Sequence, residues 1–128
     1  MKNKTVKMFS SVEDISEYSG DFLKNFFLSS SRNNYTVALS GGSTPKKIFK
    51  YIANNYLTNI KWNRLMFFFG DERCVPADSD ESNYKMAKEN LFEPVKIKSE
   101  NIFRIRGEDD PAREARRYSE ILTNNVSL

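Results

Sequence analysis

The chain has 128 residues, which is enough for one domain with a hydrophobic core. Its 20 Lys and Arg against 17 Asp and Glu give a formal net charge of +3, and these basic residues form no patch or stripe of the kind that nucleic-acid-binding proteins carry. A single cysteine, Cys74, excludes a disulfide framework, and the lack of a long apolar run argues against a membrane span or secretory signal, so we expect a cytoplasmic protein.

The first elements are predicted from apolar spacing in the N-terminal third. A short strand is predicted over Thr5 to Phe9. Ser10 and Glu13 form a capping box that predicts the start of a helix, whose apolar residues recur at helical spacing although Gly20 weakens its middle.

Two more strands are predicted in the middle of the chain. The compact run Tyr35 to Leu39 (YTVAL) predicts a strand, and a helix is expected to begin at about Thr44 or Pro45. Leu65 to Phe69 (LMFFF) is the most apolar run of the sequence, as expected for a strand that is covered on both faces.

The last third continues the same alternation. Apolar residues from Tyr84 to Leu91 predict a helix, and Ile102 to Ile105 predicts a fourth short strand. Asp110 and Pro111 form a strong helix start, because they combine an N-cap carboxylate with proline at the first position.

Strands that alternate with helices imply an α/β fold with a mostly parallel sheet and helices on both faces. Such sheets bind ligands at the carboxyl ends of their strands. The segments after Leu39 and after Phe69 both begin where a strand ends, so we expect them on the same rim of the sheet.

A glycine-containing loop follows the second predicted strand, with the sequence Ser40-Gly41-Gly42-Ser43-Thr44-Pro45. The glycine pair allows a sharp turn, and the helix that follows directs free amides and its positive dipole end at one spot, while the hydroxyls of Ser40, Ser43 and Thr44 add donors. These features suit a phosphate. The loop matches neither a Walker motif nor a dinucleotide fingerprint, and an ordinary strand-to-helix turn stays open as an alternative.

A charged turn, Gly70-Asp71-Glu72-Arg73, ends the most apolar strand. Arg73 can hold a phosphate or carboxylate with two hydrogen bonds, and Asp71 can orient a substrate hydroxyl. The alternative is an ion-paired turn that only ends the strand. A metal site of Asp71, Glu72 and Asp80 fits no known loop spacing and is opposed by the adjacent arginine. Cys74 is expected to be buried and inert.

The ordered motifs SGGSTPKKIF, FFGDERCVP, SNY, IFRIRGE and DP-x-x-EA-x-x-Y resemble those of the 6-phosphogluconolactonase family, from about Val6 to Leu122. The resemblance implies a Rossmann-like sheet shared with glucosamine-6-phosphate deaminases. It also implies hydrolysis of 6-phospho-D-glucono-1,5-lactone, a sugar phosphate of the oxidative pentose phosphate pathway, with no metal, nucleotide or other cofactor.

The resemblance also implies roles for individual residues. Gly41, Gly42, Ser43 and Thr44 would contact the phosphate or sugar, together with the hydroxyl of Ser40 noted above. Asp71 and Arg73 would lie beside the lactone as catalytic residues, with Arg73 polarising or holding the substrate. Asn83, within the SNY motif, would shape the pocket.

The sequence departs from the family in one important respect, since it contains no histidine. Family members are roughly twice this long, which is ordinary for an α/β domain, and a histidine in their second half is thought to activate the hydrolytic water. We therefore expect residues 1–128 to be a single α/β domain that corresponds to the N-terminal part of the family domain and is truncated before the final strands and helices. An exposed sheet edge would then favour self-association.

Two other functions stay open. An amino-sugar-phosphate deaminase or isomerase has the same fold, although it would be expected to carry an M-D-E-Y-like turn in place of Gly70-Asp71-Glu72-Arg73. A non-catalytic sugar-phosphate-binding module would bind 6-phosphogluconate without turning over the lactone.

Overall fold

The computed structural model describes residues 3–29 and 31–127. Within them the helices are α1 (Val12–Phe26), α2 (Ser43–Asn55), α3 (Asn83–Ala87) and α4 (Pro111–Asn125), and the strands are β1 (Tyr35–Leu39) and β2 (Leu65–Phe69). Short 3₁₀ turns cover Trp62–Arg64 and Ser99–Asn101, and a π-helical turn over Lys88–Phe92 extends α3. None of the helices in these ranges has the length and apolar character needed to cross a membrane.

Side chains that cap the first turn determine where α1 and α4 begin. Asp110 caps α4 by accepting a hydrogen bond from the backbone N–H of Arg113, and Pro111 is the first helical residue, as predicted. The cap of α1 is Ser11 rather than Ser10, because the Ser11 hydroxyl accepts from the N–H of Asp14 at 3.1 Å.

The two strands are parallel, which confirms the predicted α/β arrangement. Their register pairs Tyr35 with Leu65 and Leu39 with Phe69, so both strands end at the same level. The N–H of Gly70 donates to the carbonyl of Leu39 at 3.0 Å and ties the two ends together. The loop after β1 and the turn after β2 therefore leave from one rim of the sheet, as expected.

The two faces of the sheet are covered to different extents. Leu39, Phe67 and Phe69 point into the core that α1, α2 and the α3 region cover. On the opposite face of β1, Thr36 and Ala38 are exposed. On that face of β2, Phe68 is buried and its ring stacks on Phe103 with 4.7 Å between centroids.

The strand predicted over Thr5 to Phe9 is wrong: this segment has no regular secondary structure and is exposed. A strand requires a neighbouring backbone for its hydrogen bonds. Within the described part of the chain, the only ladder of β1 is the one that it forms with β2.

The strand predicted over Ile102 to Ile105 is reduced to one parallel bridge between Ile102 and Phe67. The N–H of Phe103 donates to the carbonyl of Phe67 at 2.8 Å. The next bond of a parallel ladder would join the N–H of Phe69 to the carbonyl of Phe103. Instead, the hydroxyl of Tyr118 from α4 lies between them, accepting from Phe69 and donating to Phe103 at 2.8 Å each. The inserted hydroxyl prevents the strand from continuing.

Candidate functional site

A cleft of about 410 Å³ opens where the first turn of α2, the turn after β2 and the N-terminus of α3 meet. Its lining includes charged, hydroxyl and amide side chains from all three segments. Among the lining residues are Gly42, Ser43, Lys46, Arg73, Asn83 and Lys85.

Gly42 forms the N-terminal cap of α2 with φ 107° and ψ 173°, a backbone conformation that residues with a β-carbon rarely adopt. It has no side chain that could accept from the amides of the first turn, and no other side-chain cap is formed there by the described residues. Its carbonyl accepts from the N–H of Lys46 at 3.2 Å, which starts the helix. The positive end of α2 is therefore left to an external acceptor beside exposed Ser43 and Thr44.

Asn83, which is buried, joins the loop after β1 to the turn after β2. Its Nδ2 donates to the backbone carbonyl of Asp71 and to Asp71 Oδ1, both at 3.3 Å. Its side chain also lies directly against Gly41, where a β-carbon would overlap it. A glycine at position 41 is thus required by the neighbouring amide rather than by its own backbone dihedrals.

Glu72 accepts hydrogen bonds on both carboxylate oxygens. Oε1 accepts from the N–H of Arg73 at 2.8 Å and from the N–H of Asn83 at 2.7 Å. Oε2 accepts from the hydroxyl of Ser82 at 3.0 Å and from the N–H of Tyr84 at 2.9 Å. The carboxylate therefore caps α3 from outside the helix, a role that spacing along the sequence did not indicate.

Arg73 is exposed, and its guanidinium has no carboxylate partner among residues 3–29 and 31–127. The ion-paired turn is therefore not the arrangement seen here: Glu72 is occupied by α3, and Asp71 accepts from Asn83. Asp80 is also engaged, since Lys85 approaches it at 2.6 Å and lowers the pKa of its carboxyl group. The three carboxylates considered for a metal site thus each have another partner.

Four of the residues expected at the site are not in the lining of the cleft: Ser40, Gly41, Thr44 and Asp71. Asp71 lines a second cavity of about 400 Å³ on the side of α4, and Arg73 lines both that cavity and the cleft. Ser40 lines a third, apolar cavity of about 440 Å³. Cys74, expected to be buried, is exposed.

The turn after β2 is also supported by the IFRIRGE segment (residues 102–108) and by α4. A β-carbon on Gly107 would overlap the carbonyl oxygens of Arg73 and Val75. Glu114, only 4% exposed, accepts from the N–H of Arg106 at 2.8 Å, and Arg117 approaches the same carboxylate at 2.6 Å. The hydrogen bond from Arg117 lowers the pKa of Glu114. The motifs did not indicate these supporting roles. The place of Glu114 among the apolar positions of α4 could have indicated a buried glutamate.

Comparison with known proteins gives the family. A family model described as "Glucosamine-6-phosphate isomerases/6-phosphogluconolactonase" matches residues 15–127. The 6-phosphogluconolactonase of Haemophilus influenzae is 42% identical over 110 residues, covering 84% of this chain and 47% of that protein. That of Treponema pallidum is 45% identical over 84 residues, covering 66% of this chain and 35% of that protein. The chain spans about half, or less, of the length of these curated relatives.

Solved structures agree with this result. The 6-phosphogluconolactonase of Trypanosoma brucei superposes with a TM-score of 0.83 at 29% identity, covering 98% of this chain and 52% of that one. The enzyme of Thermotoga maritima gives a TM-score of 0.78 at 29% identity, covering 97% and 55%. A monomeric glucosamine-6-phosphate deaminase, at 18% identity and a TM-score of 0.82, shares the fold. This chain belongs to the glucosamine-6-phosphate isomerase/6-phosphogluconolactonase family.

Proposed function

We propose that this chain binds 6-phosphogluconolactone as part of a 6-phosphogluconolactonase, the enzyme that hydrolyses this lactone to 6-phospho-D-gluconate. The observation that carries the proposal is that Arg73 lines the same cleft as the N-terminus of α2. Among the described residues, the guanidinium of Arg73 has no carboxylate partner and α2 has no side-chain cap. Two positive features directed at one polar cleft suit a substrate with a phosphate at one end and a polarised carbonyl at the other.

Each residue at the cleft has a separate role in this proposal. The amides and hydroxyls at Gly42, Ser43 and Thr44 bind the phosphate. Gly42, Ser43 and Lys46 line the cleft, and Lys46 adds positive charge there. Arg73 holds the lactone and stabilises negative charge that develops on its carbonyl oxygen. Asn83 holds Asp71 at the border of the cleft.

Hydrolysis also requires a base that activates water. The sequence contains no histidine, and two carboxylates in the lining of the cleft, Asp80 and Glu89, are paired with Lys85. This observation favours a second candidate function for the 128 residues taken alone: binding of the sugar phosphate without turnover.

Isothermal titration of the purified chain with 6-phosphogluconate tests the binding part of the proposal, and glucosamine 6-phosphate serves as the competing ligand. Lactone hydrolysis, corrected for the spontaneous reaction, is measured beside the Haemophilus influenzae relative. Binding of 6-phosphogluconate without hydrolysis supports the binding module, and hydrolysis supports the complete enzyme activity. Absence of binding contradicts both, and release of ammonia from glucosamine 6-phosphate would indicate a deaminase.

We also propose that residues 1–128 act as one domain, that the protein is cytoplasmic, and that β1 supports self-association. The continuous hydrophobic core supports the proposal of one domain.

The exposed, unpaired thiol of Cys74 is compatible with a reducing compartment, as expected for a cytoplasmic protein. Within the described residues β1 pairs only with β2, so its other edge is open to a second copy, and sedimentation velocity over a range of concentrations would detect that association.

A further inference from the structure

Glu72 receives an unusual set of donors for a residue on a surface turn. Three of the four donors belong to residues that line the cleft, namely Arg73, Ser82 and Asn83. The backbone N–H groups of Arg73 and Asn83 both bond to the same oxygen, Oε1, at 2.8 and 2.7 Å. One carboxylate oxygen thus connects the residue that would hold the lactone to the residue that holds Asp71. The other oxygen is bound by Ser82 and Tyr84 at the start of α3.

This arrangement differs from an ordinary helix cap. The side chain of Ser82 already caps α3 by accepting from the N–H of Lys85 at 3.1 Å. Glu72 lies on the turn after β2, so its bonds to α3 join two segments that are separate in the chain. A role as a helix cap alone would also not account for the hydrogen bond that Glu72 accepts from the N–H of Arg73, which lies outside α3.

We propose that Glu72 is a positioning residue, which fixes the spacing between Arg73 and Asn83 and so sets the shape of the cleft. This inference rests on the proposed function only in naming 6-phosphogluconate as the ligand. The chain of contacts continues from Asn83 to Gly41, so the same carboxylate also determines where the loop after β1 lies against α3.

A carboxylate is needed because all four partners are donors. Glutamine at position 72 has the same shape, but its amide nitrogen is itself a donor and cannot accept from any of them. Glu72→Gln therefore leaves two of the four donors facing another donor. Aspartate keeps both acceptor oxygens but is one methylene shorter, so Glu72→Asp reaches α3 less well.

The test compares Glu72→Gln with Ser11→Ala in the 128-residue chain. Ser11→Ala removes the cap of α1, which contributes no residue to the cleft, and serves as the control for loss of a helix cap. Amide hydrogen exchange is measured at residues 73, 83 and 84, and the Kd for 6-phosphogluconate is measured under conditions where each variant is folded. We expect Glu72→Gln to accelerate exchange at all three amides and to weaken binding by about tenfold, the scale of a lost hydrogen bond to a charged group. Ser11→Ala should change neither.

Faster exchange at residues 83 and 84 alone, with the Arg73 amide and the Kd unchanged, would overturn the proposal and reduce Glu72 to a cap of α3. If wild-type chain fails to bind 6-phosphogluconate, the proposed function fails, and the exchange at residues 73 and 83 still decides the positioning role. If Glu72→Gln does not fold, Glu72→Asp is judged by the same exchange criterion, with unchanged exchange at Arg73 contradicting the inference.

Discussion

The side chain of Asn83 occupies the position that a β-carbon on Gly41 would need. The same side chain donates to the carbonyl and the carboxylate of Asp71. The loop after β1, the turn after β2 and the first turn of α3 therefore meet at one buried amide. This contact gives a physical reason for the first glycine of the SGGS segment, because Gly41 makes room for the residue that connects the two rim segments.

The first prediction concerns this contact. Gly41→Ala should lower the free energy of unfolding by about 1–3 kcal/mol, the usual cost of overpacking. Asn83→Ala is also destabilising because it removes the bonds to Asp71, but it should relieve most of the cost at position 41. A double-mutant cycle measured by urea unfolding gives the coupling. Strictly additive effects would show that the two residues do not compete for the same space.

The second prediction compares Gly42, in the loop after β1, with Gly70, in the turn after β2. Gly42 has a positive φ, whereas a β-carbon on Gly70 would meet only the Leu39 carbonyl at an ordinary 3.6 Å. Gly42→Ala should therefore displace the first turn of α2, at a strain of about 1–3 kcal/mol, and weaken 6-phosphogluconate binding. Gly70→Ala should retain wild-type binding. Equal affinities for the two variants in calorimetric titration would remove Gly42 from the site.

The third prediction concerns the charge of Arg73. Arg73→Ala should weaken 6-phosphogluconate binding strongly and flatten its dependence on salt, since a direct ionic contact is lost. The stability of the folded chain should change by less than about 0.5 kcal/mol, because the side chain is exposed. Arg116→Ala on the exposed side of α4 removes the same charge as a control. If both variants weaken binding equally, Arg73 acts only through the net charge.

The fourth prediction concerns pH and the buried carboxylate of Glu114. The pKa of Glu114 is lowered in the folded state, chiefly by the hydrogen bond from Arg117. The ionised carboxylate therefore stabilises the fold at pH values above its ordinary pKa of 4.5, and this contribution is lost as the pH falls through the lowered pKa. Glu114→Gln should cost about 2 kcal/mol at pH 7, the scale of a hydrogen bond to a charged group. The difference from wild type should shrink toward pH 3 in urea unfolding.

Glu108 provides the matched control for that experiment. Arg104 holds its carboxylate at 2.6 Å and lowers its pKa to about 2, yet the Glu108 side chain remains 35% exposed. Glu108→Gln should therefore cost less than about 1 kcal/mol at pH 7. A larger loss for Glu108→Gln than for Glu114→Gln would contradict the view that burial, rather than the size of the pKa shift, determines the contribution.

Features set by local chemistry could be predicted from the sequence. The cap of α4 at Asp110 depends on residues within one turn of each other, and the structure agrees. The start of α2, expected at about Thr44 or Pro45, is found at Ser43. The rim position of the two loops followed from parallel strands alone. The family motifs also indicated the fold, because their order along the chain is specific even though each piece is short.

Features that depend on a distant partner could not be predicted in this way. Thr5 to Phe9 has the composition of a strand but no ladder partner among the described residues. The turn after β2 offers two carboxylates, and nothing in its spacing shows that Glu72 would bind amides of α3. Nor does the spacing show that Arg73 would have no carboxylate partner among the described residues. Tyr118 occurs at helical spacing as a core residue, which gives no indication that its hydroxyl would enter the edge of the sheet.

The last prediction follows from that hydroxyl. Tyr118→Phe removes the group that accepts from the N–H of Phe69 and donates to the carbonyl of Phe103. Two main-chain groups then lose their partner at the edge of β2, which should cost about 1–3 kcal/mol in urea unfolding. If the backbone closes the gap, Phe69 and Phe103 bond directly and the cost is small, with the amide of Phe69 remaining protected from hydrogen exchange. Fast exchange at Phe69 together with a large stability loss would show that the hydroxyl is a permanent part of the ladder.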